Sequence, residues 1–226
     1  MHKVIREAKA AGRNLYEYEA WELFRDYGIP VPQCRLATSA EAAAAAAEAI
    51  GYPVALKIVS RHILHKSDAG GVKTNISSAQ GVNEAYQEII AGAQAYRPGA
   101  EIAGILVCQM LRPGLETIIG MTKDASFGPT LMFGLGGIFV EVLKDVSFRV
   151  LPLTEEAALE MIAEIKGYRL LQGIRGEKPK DIQALAGLLL KTARLVEENP
   201  DIQELDINPC FVYEEGAVPV DARIIL

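Results

Sequence analysis

The chain has 226 residues, half of them hydrophobic and 23 % charged, with a net charge of −6. It is long enough to bury a substantial core in one large domain or two joined small ones. The acidic balance argues against a nucleic-acid-binding surface, which has to be basic. The three cysteines, Cys34, Cys108 and Cys210, show no CxxC spacing, which argues against a zinc site or a disulfide framework. The opening Met-His-Lys-Val-Ile-Arg-Glu lacks the apolar core of a signal peptide. No apolar run reaches the ~20 residues that span a bilayer. The expected location is therefore the cytoplasm, away from membranes.

In chain order, the first predicted element is a helix over 15–27, with Leu23, Phe24 and Tyr27 on its apolar face. Gly28-Ile-Pro30-Val-Pro32 stops it. Thr38-Ser-Ala-Glu41 has capping-box spacing ahead of the alanine run 42–47, and Gly51 with Pro53 closes that helix. Residues 52–59 and 72–76 read as strands around a polar loop, 60–71. Residues 78–95 read as a helix ended by Arg97-Pro98-Gly99.

The second half changes character. Strands are expected over 102–110, 116–122 and 130–133, then a hairpin over 139–151 turning near Lys144-Asp145. A helix with Thr154 as N-cap runs to Gly167, and another spans 181–198. Strands 204–212 and 218–225 end the chain. Strands joined by short turns imply antiparallel pairing, hence an α+β fold rather than a doubly wound sheet. The expected seam lies near Met110, dividing 1–110 from 111–226, with a cleft able to take a nucleotide.

Neither GxxxxGK[ST] nor GxGxxG occurs. Four other patterns carry chemistry. Lys57 sits on a strand, where its ammonium can hold a phosphate as a point charge. His65-Lys66-Ser67-Asp-Ala-Gly70-Gly71 follows, with glycines that allow close ligand approach and polar groups suited to phosphate. Gly134-Leu-Gly-Gly137 lies between apolar segments with Glu141 beyond it; a tight turn and a close approach to a ligand or partner both account for it. Asp206 and Asn208 alternate onto one face of a strand, and Asp221 joins them if the last strands pair. Such an oxygen cluster suits Mg²⁺ held jointly with phosphates.

Together these patterns resemble the ATP-grasp fold, and more narrowly the beta subunit of ADP-forming acetyl-CoA synthetases, relatives of succinyl-CoA synthetase. The most specific segments are HKSDAGGV (65–72), GPTLMFGLGGIFVEVLKDVSFRVLPL (128–153), ELDINP (204–209) and VDAR (220–223). The resemblance covers nearly the whole chain. It implies a single ATP-grasp domain over 1–226 built of two α+β lobes, with the phosphate loop in 1–110 and the metal-binding strands in 111–226.

It also implies the reaction acyl-CoA + ADP + phosphate ⇌ carboxylate + CoA + ATP, with ATP or ADP and Mg²⁺ as cofactors. An alpha subunit would carry the CoA chemistry, commonly in an alpha2beta2-type assembly. On this reading His65 is a phosphoryl carrier and Asp206 the carboxylate beside the transferring phosphohistidine. Lys57, Lys66, Ser67, Gly70 and Gly71 hold the phosphates. Cys108, Gln109 and Met110 form the adenine hinge, Glu116 lies near the ribose, and Asn208 and Asp221 hold Mg²⁺. An ATP-grasp ligase joining a carboxylate to an amine has no need of a histidine in its phosphate loop. A nucleotide sensor has no need of His65 or the metal ligands.

Overall fold

The computed structural model describes residues 1–63, 65–174 and 176–226; the side chains of 138, 139 and 141 lie outside the description. The chain forms two compact units: unit 1, Met1–Val31 with Pro113–Leu226, and unit 2, Pro32–Arg112.

Unit 2 is a 4-stranded antiparallel sheet with two helices on one face. In chain order it contains β1 (Cys34–Ala37), α3 (Ala40–Ile50), β2 (Val54–Ser60), β3 (Val72–Ile76), α4 (Ala79–Tyr96) and β4 (Ile102–Gln109); α1 (Lys3–Ala10) and α2 (Glu17–Asp26) precede it in unit 1. The sheet order is β1-β4-β2-β3. Val54, Leu56, Ile58, Ile105 and Val107 face the helices, packing against Ala43, Ala47, Val82, Ile89 and Ala93. Alanines on the facing sides let α3 and α4 pack closely. Each fully buried isoleucine here contributes roughly 1.5–3 kcal/mol through its removal from water. The N-cap of α3 is Ser39, whose side chain accepts the Ala42 amide at 3.1 Å. The expected Thr38 capping box does not form: the cap falls one residue later, and Ala42 at the third helical position has no polar side chain to complete a box.

Unit 1 begins with α1 (Lys3–Ala10) and α2 (Glu17–Asp26). After unit 2 it continues with β5 (Leu115–Asp124), β6 (Gly128–Leu135), α5 (Ile138–Leu143), β7 (Val146–Val150), α6 (Glu155–Glu164), α7 (Tyr168–Leu171), α8 (Ile182–Glu198), β8 (Glu204–Val212), β9 (Ala217–Pro219) and β10 (Ala222–Ile225). The antiparallel order is β10-β8-β5-β6-β7, with β9 pairing β8. Leu131, Phe133, Leu205 and Ile207 are buried, and α6 and α8 pack against the sheet. Thr154 caps α6, as its position led one to expect, and Asp181, read from the sequence as the first helical residue, is the N-cap of α8.

Two expectations are corrected. The seam isolates 32–112, because α2 packs on β10 and buries Trp21, Leu23 and Phe24. The His2 amide donates to Asn199 Oδ1 (3.0 Å) and the Leu226 amide to Asn14 Oδ1 (3.2 Å), tying both chain ends into unit 1. Residues 1–31 therefore pack with the C-terminal half, through long-range contacts that no local pattern encodes. The hairpin expected over 139–151 is α5 followed by β7, whose strand partner is β6: Gly134 lies opposite Val146 and Met132 opposite Phe148. No helix among the described residues is long and apolar enough to cross a membrane.

Candidate functional site

In unit 2, Lys57 lies mid-strand on β2, flanked by Leu106 on β4 and Val72 on β3. It stands on the face away from α3 and α4, since its neighbours Leu56 and Ile58 belong to the helix-facing core. A lysine only 7 % exposed on a strand keeps its ammonium in a confined place, well suited to anionic oxygen.

The loop after β2 is held at both ends. At its root, the Ser60 hydroxyl donates to the Glu101 carbonyl (2.6 Å) and accepts the His62 amide (3.1 Å). His62 Nδ1 accepts the Glu101 amide (3.0 Å), and Arg97 donates to the His62 carbonyl (2.7 Å). At its far end the Gly71 amide donates to the Lys66 carbonyl (2.7 Å), the Gly70 amide to the Ser67 carbonyl (3.0 Å), and the Ile58 amide to the Gly71 carbonyl (2.7 Å). A Cβ on Gly71 would stand 2.4 Å from Ile58 Cγ2 and 2.9 Å from the Lys66 carbonyl oxygen, so glycine alone fits. Between these anchors His65 and Ser67 are exposed and Lys66 is half-buried.

Cys108 is buried at the end of β4, Gln109 is exposed and Met110 half-buried. The Gln109 amide donates to the Gln33 carbonyl (2.8 Å) and the Met110 amide to the Pro53 carbonyl (3.3 Å). Two of the three expected hinge amides are thus engaged within unit 2. Leu111, absent from the sequence-based set, carries the first amide beyond them without a partner among the described residues. Nothing in a side-chain pattern signals that, because it depends on which backbone groups the sheet has already used.

In unit 1, one row of side chains crosses the sheet: Arg223, Asp206, Gly120, Met132 and Phe148, on β10, β8, β5, β6 and β7. It lies on the face opposite Leu205, Ile207, Leu131 and Phe133. The β8–β10 pairing brings Asp221 beside Asn208, whose amide donates to the Asp221 carbonyl (3.3 Å). Asp221 Oδ1 accepts the Ala222 amide (2.9 Å). Burial raises the Asp206 pKa, Arg223 opposes that rise, and the charges of Asp221 and Glu204 reinforce it. A cation here would relieve that crowding of negative charge. Among the described residues no group of three or more His, Cys, Asp and Glu side chains forms a metal site. Two carboxylates and an amide instead suit a hard cation that brings other oxygen ligands with it, as Mg²⁺ does with phosphates.

Glu116 is exposed on β5, and its carbonyl accepts the Gly136 amide (2.8 Å). A Cβ on Gly136 would lie 2.9 Å from Glu116 Cβ, and one on Gly134 would lie 2.8 Å from the Asp145 carbonyl oxygen. Gly134 and Gly136 therefore have a third reason, close packing against other strands of unit 1, which neither of the two sequence-based alternatives named. The side chain of Glu141 lies outside the described residues. Gly136→Val should push β5 aside at Glu116, lowering stability by about 1–3 kcal/mol. Thermal melting and nucleotide titration of the variant check this; an unshifted melt would mean the strand yields freely.

Residues 7–226 match the ATP-grasp domain family. The chain is 54 % identical over 224 residues to the beta subunit of acetate–CoA ligase [ADP-forming] I from Pyrococcus furiosus, covering 99 % of this chain and 97 % of that one. The dinucleotide-forming acetyl-coenzyme A synthetase 1 of Ca. Korarchaeum cryptofilum, in complex with coenzyme A and Ca-AMPCP, matches with a TM-score of 0.96 and 51 % identity over 98 % of this chain and 97 % of that one. Its complex with coenzyme A and Mg-AMPPCP, with the phosphohistidine segment pointing towards the nucleotide binding site, matches at 0.87 and 47 % over 99 % and 98 %. Antiparallel α+β units, a strand lysine before a glycine-held loop and adjacent carboxylate strands agree with these likenesses, and the chain belongs to the ATP-grasp beta-subunit family of ADP-forming acetate–CoA ligases.

Proposed function

We propose that this chain moves a phosphoryl group between phosphohistidine and ADP, as the nucleotide-handling subunit of an enzyme that interconverts acyl-CoA, ADP and phosphate with carboxylate, CoA and ATP. The observation that carries this reading is the loop after β2. It presents an exposed His65 between two hydrogen-bonded anchors, directly after the confined ammonium of Lys57. Neutral imidazole is a nucleophile at neutral pH, and an exposed ring can receive a phosphoryl group and pass it on. In the transfer to ADP, the phosphorus–nitrogen bond breaks and a bond to a β-phosphate oxygen forms, leaving neutral imidazole. Such transfers depend on positioning and charge neutralisation. Lys57 and Lys66 supply positive charge, while Ser67, Gly70 and Gly71 shape the phosphate loop.

Cys108–Met110 serve the base and Glu116 the ribose. Asp206 orients the histidine that transfers the group, in the way carboxylates fix imidazole tautomers. Asn208 and Asp221 would hold Mg²⁺, which when bound neutralises phosphate charge. The relatives' designation as beta subunits supports an alpha partner bearing the CoA chemistry, and an alpha2beta2 assembly in the cytoplasm fits this reading. The test separates the parts. Alone, the chain binds ADP and forms no acyl-CoA; adding the alpha partner starts turnover. Robust acyl-CoA formation by the chain alone overturns the assignment.

A further inference from the structure

Strands β1 and β4 place Cys34 directly opposite Cys108. The Gln109 amide donates to the Gln33 carbonyl at 2.8 Å. Ladder bonds alternate along an antiparallel pair, so the next pair, Cys34 with Cys108, is a non-hydrogen-bonded one with both side chains on one face. Cα atoms in such a pair lie about 4.5 Å apart, inside the roughly 4.4–6.8 Å that a disulfide spans. None of the three cysteines is in a disulfide. Cys34 is half-exposed, within reach of a small oxidant, and Cys108 is 2 % exposed beside it. Cys210 lies in unit 1, fully buried, its thiol pushed up to about 12 by burial; it stays out of thiolate chemistry and serves as an internal control.

The pair shares its sheet face with Lys57. Cys34, Cys108 and Ala55 form one row, and Leu36, Leu106 and Lys57 form the next row on the same side. It also adjoins Gln109 and Met110.

We propose that Cys34 and Cys108 are a redox-active dithiol that a small-molecule disulfide closes into a cross-strand bond, and that closure weakens nucleotide binding. The second half rests on the hinge reading of Cys108–Met110. The Cys34 thiolate attacks one sulfur of oxidised glutathione and expels one glutathione thiolate. The Cys108 thiolate then attacks Cys34 Sγ and expels the second. The protein dithiol loses two electrons and two protons, and two reduced glutathiones leave. Cross-strand Cβ atoms stand about 4.5–5.5 Å apart, whereas a disulfide holds them near ~3.8 Å. Closure therefore draws the end of β4 toward β1 where the hinge begins.

The experiment treats the full chain with oxidised glutathione and follows thiol count, intact mass, peptide mapping and ADP affinity. The expected product is two hydrogens lighter, joins the Cys34 and Cys108 peptides and retains one thiol. ADP affinity falls about tenfold, the scale of a sub-ångström to ångström misplacement, and returns on reduction. Cys34→Ser keeps the reduced chain's affinity and does not respond. Three persisting thiols, or a stable glutathione adduct on Cys34 alone, overturn the dithiol. A closed disulfide with unchanged ADP affinity overturns its effect on binding. Reduced chain that binds no ADP counts against the nucleotide reading, and the thiol count still decides the disulfide.

Discussion

His65→Ala, assayed with the alpha partner, should lower ATP formation by about a thousandfold or more, the scale of losing a group that forms a covalent intermediate. ADP affinity should stay close to that of the parent chain. The two effects separate because the His65 side chain is exposed, while the loop's shape comes from other bonds: Gly71 to Lys66, Gly70 to Ser67, and the Ser60–His62–Glu101 network. Removing the ring leaves every one of those bonds in place, so folding should be unaffected. The direct readout is radiolabel. With labelled ATP and Mg²⁺, the parent chain acquires an acid-labile, base-stable phosphate that maps to His65, and the variant acquires none. Full turnover by the alanine variant, or label confined to the partner's histidine under every condition, removes His65 from the pathway.

Asp221→Ala should raise the Mg²⁺ concentration needed for half-maximal activity by about a hundredfold, at or beyond what loss of a supporting group costs a metal site. The substitution also removes the acceptor for the Ala222 amide. That deletes one partly buried hydrogen bond, worth about 0.5–1.5 kcal/mol. Asp221→Asn separates the two roles, since the amide oxygen still accepts from Ala222 while the negative charge is gone. The asparagine variant should keep the parent's melting temperature and show most of the Mg²⁺ defect. Asp206 offers a second readout. The Asp221 charge is among the causes that raise its pKa, so either variant should move the Asp206 titration downward. Parent-like Mg²⁺ dependence in both variants would place the cation elsewhere.

Much of this arrangement is legible in the chain. The alternation that puts Asp206 and Asn208 on one face of β8 is a period-2 pattern set by local geometry, and Leu205 and Ile207 are buried on the other face. The helix over 182–198 follows from an Asp N-cap and sustained apolar spacing. What stayed hidden depends on distant partners. Cys34 and Cys108 look unrelated in sequence and become neighbours only through β1–β4 pairing. Residues 1–31 carry no mark of unit 1, because β10, the strand that α2 packs against, lies beyond the whole of unit 2 in sequence. The run Ile138–Leu143 is apolar enough for strand or helix, and pairing of β6 with β7 decides in favour of α5. At Gly134 and Gly136 the sequence offers a turn or a ligand or partner approach, whereas the crowding comes from Asp145 and Glu116 of the same chain.

The division of the chain into 1–31, 32–112 and 113–226 sets a timetable for biosynthesis. Emerging from a ribosome, unit 2 has all its strands once Gln109 is made, and it can close its own core early. Helix α2 is made before unit 2, yet the strand it packs against, β10, is made only after all of unit 2, and Trp21 and Phe24 of α2 end fully buried. Throughout that interval a tryptophan and a phenylalanine that end fully buried are open to chaperones and to neighbouring nascent chains. A variant cut before Ala222 leaves that helix without its strand partner and should aggregate rather than stay soluble.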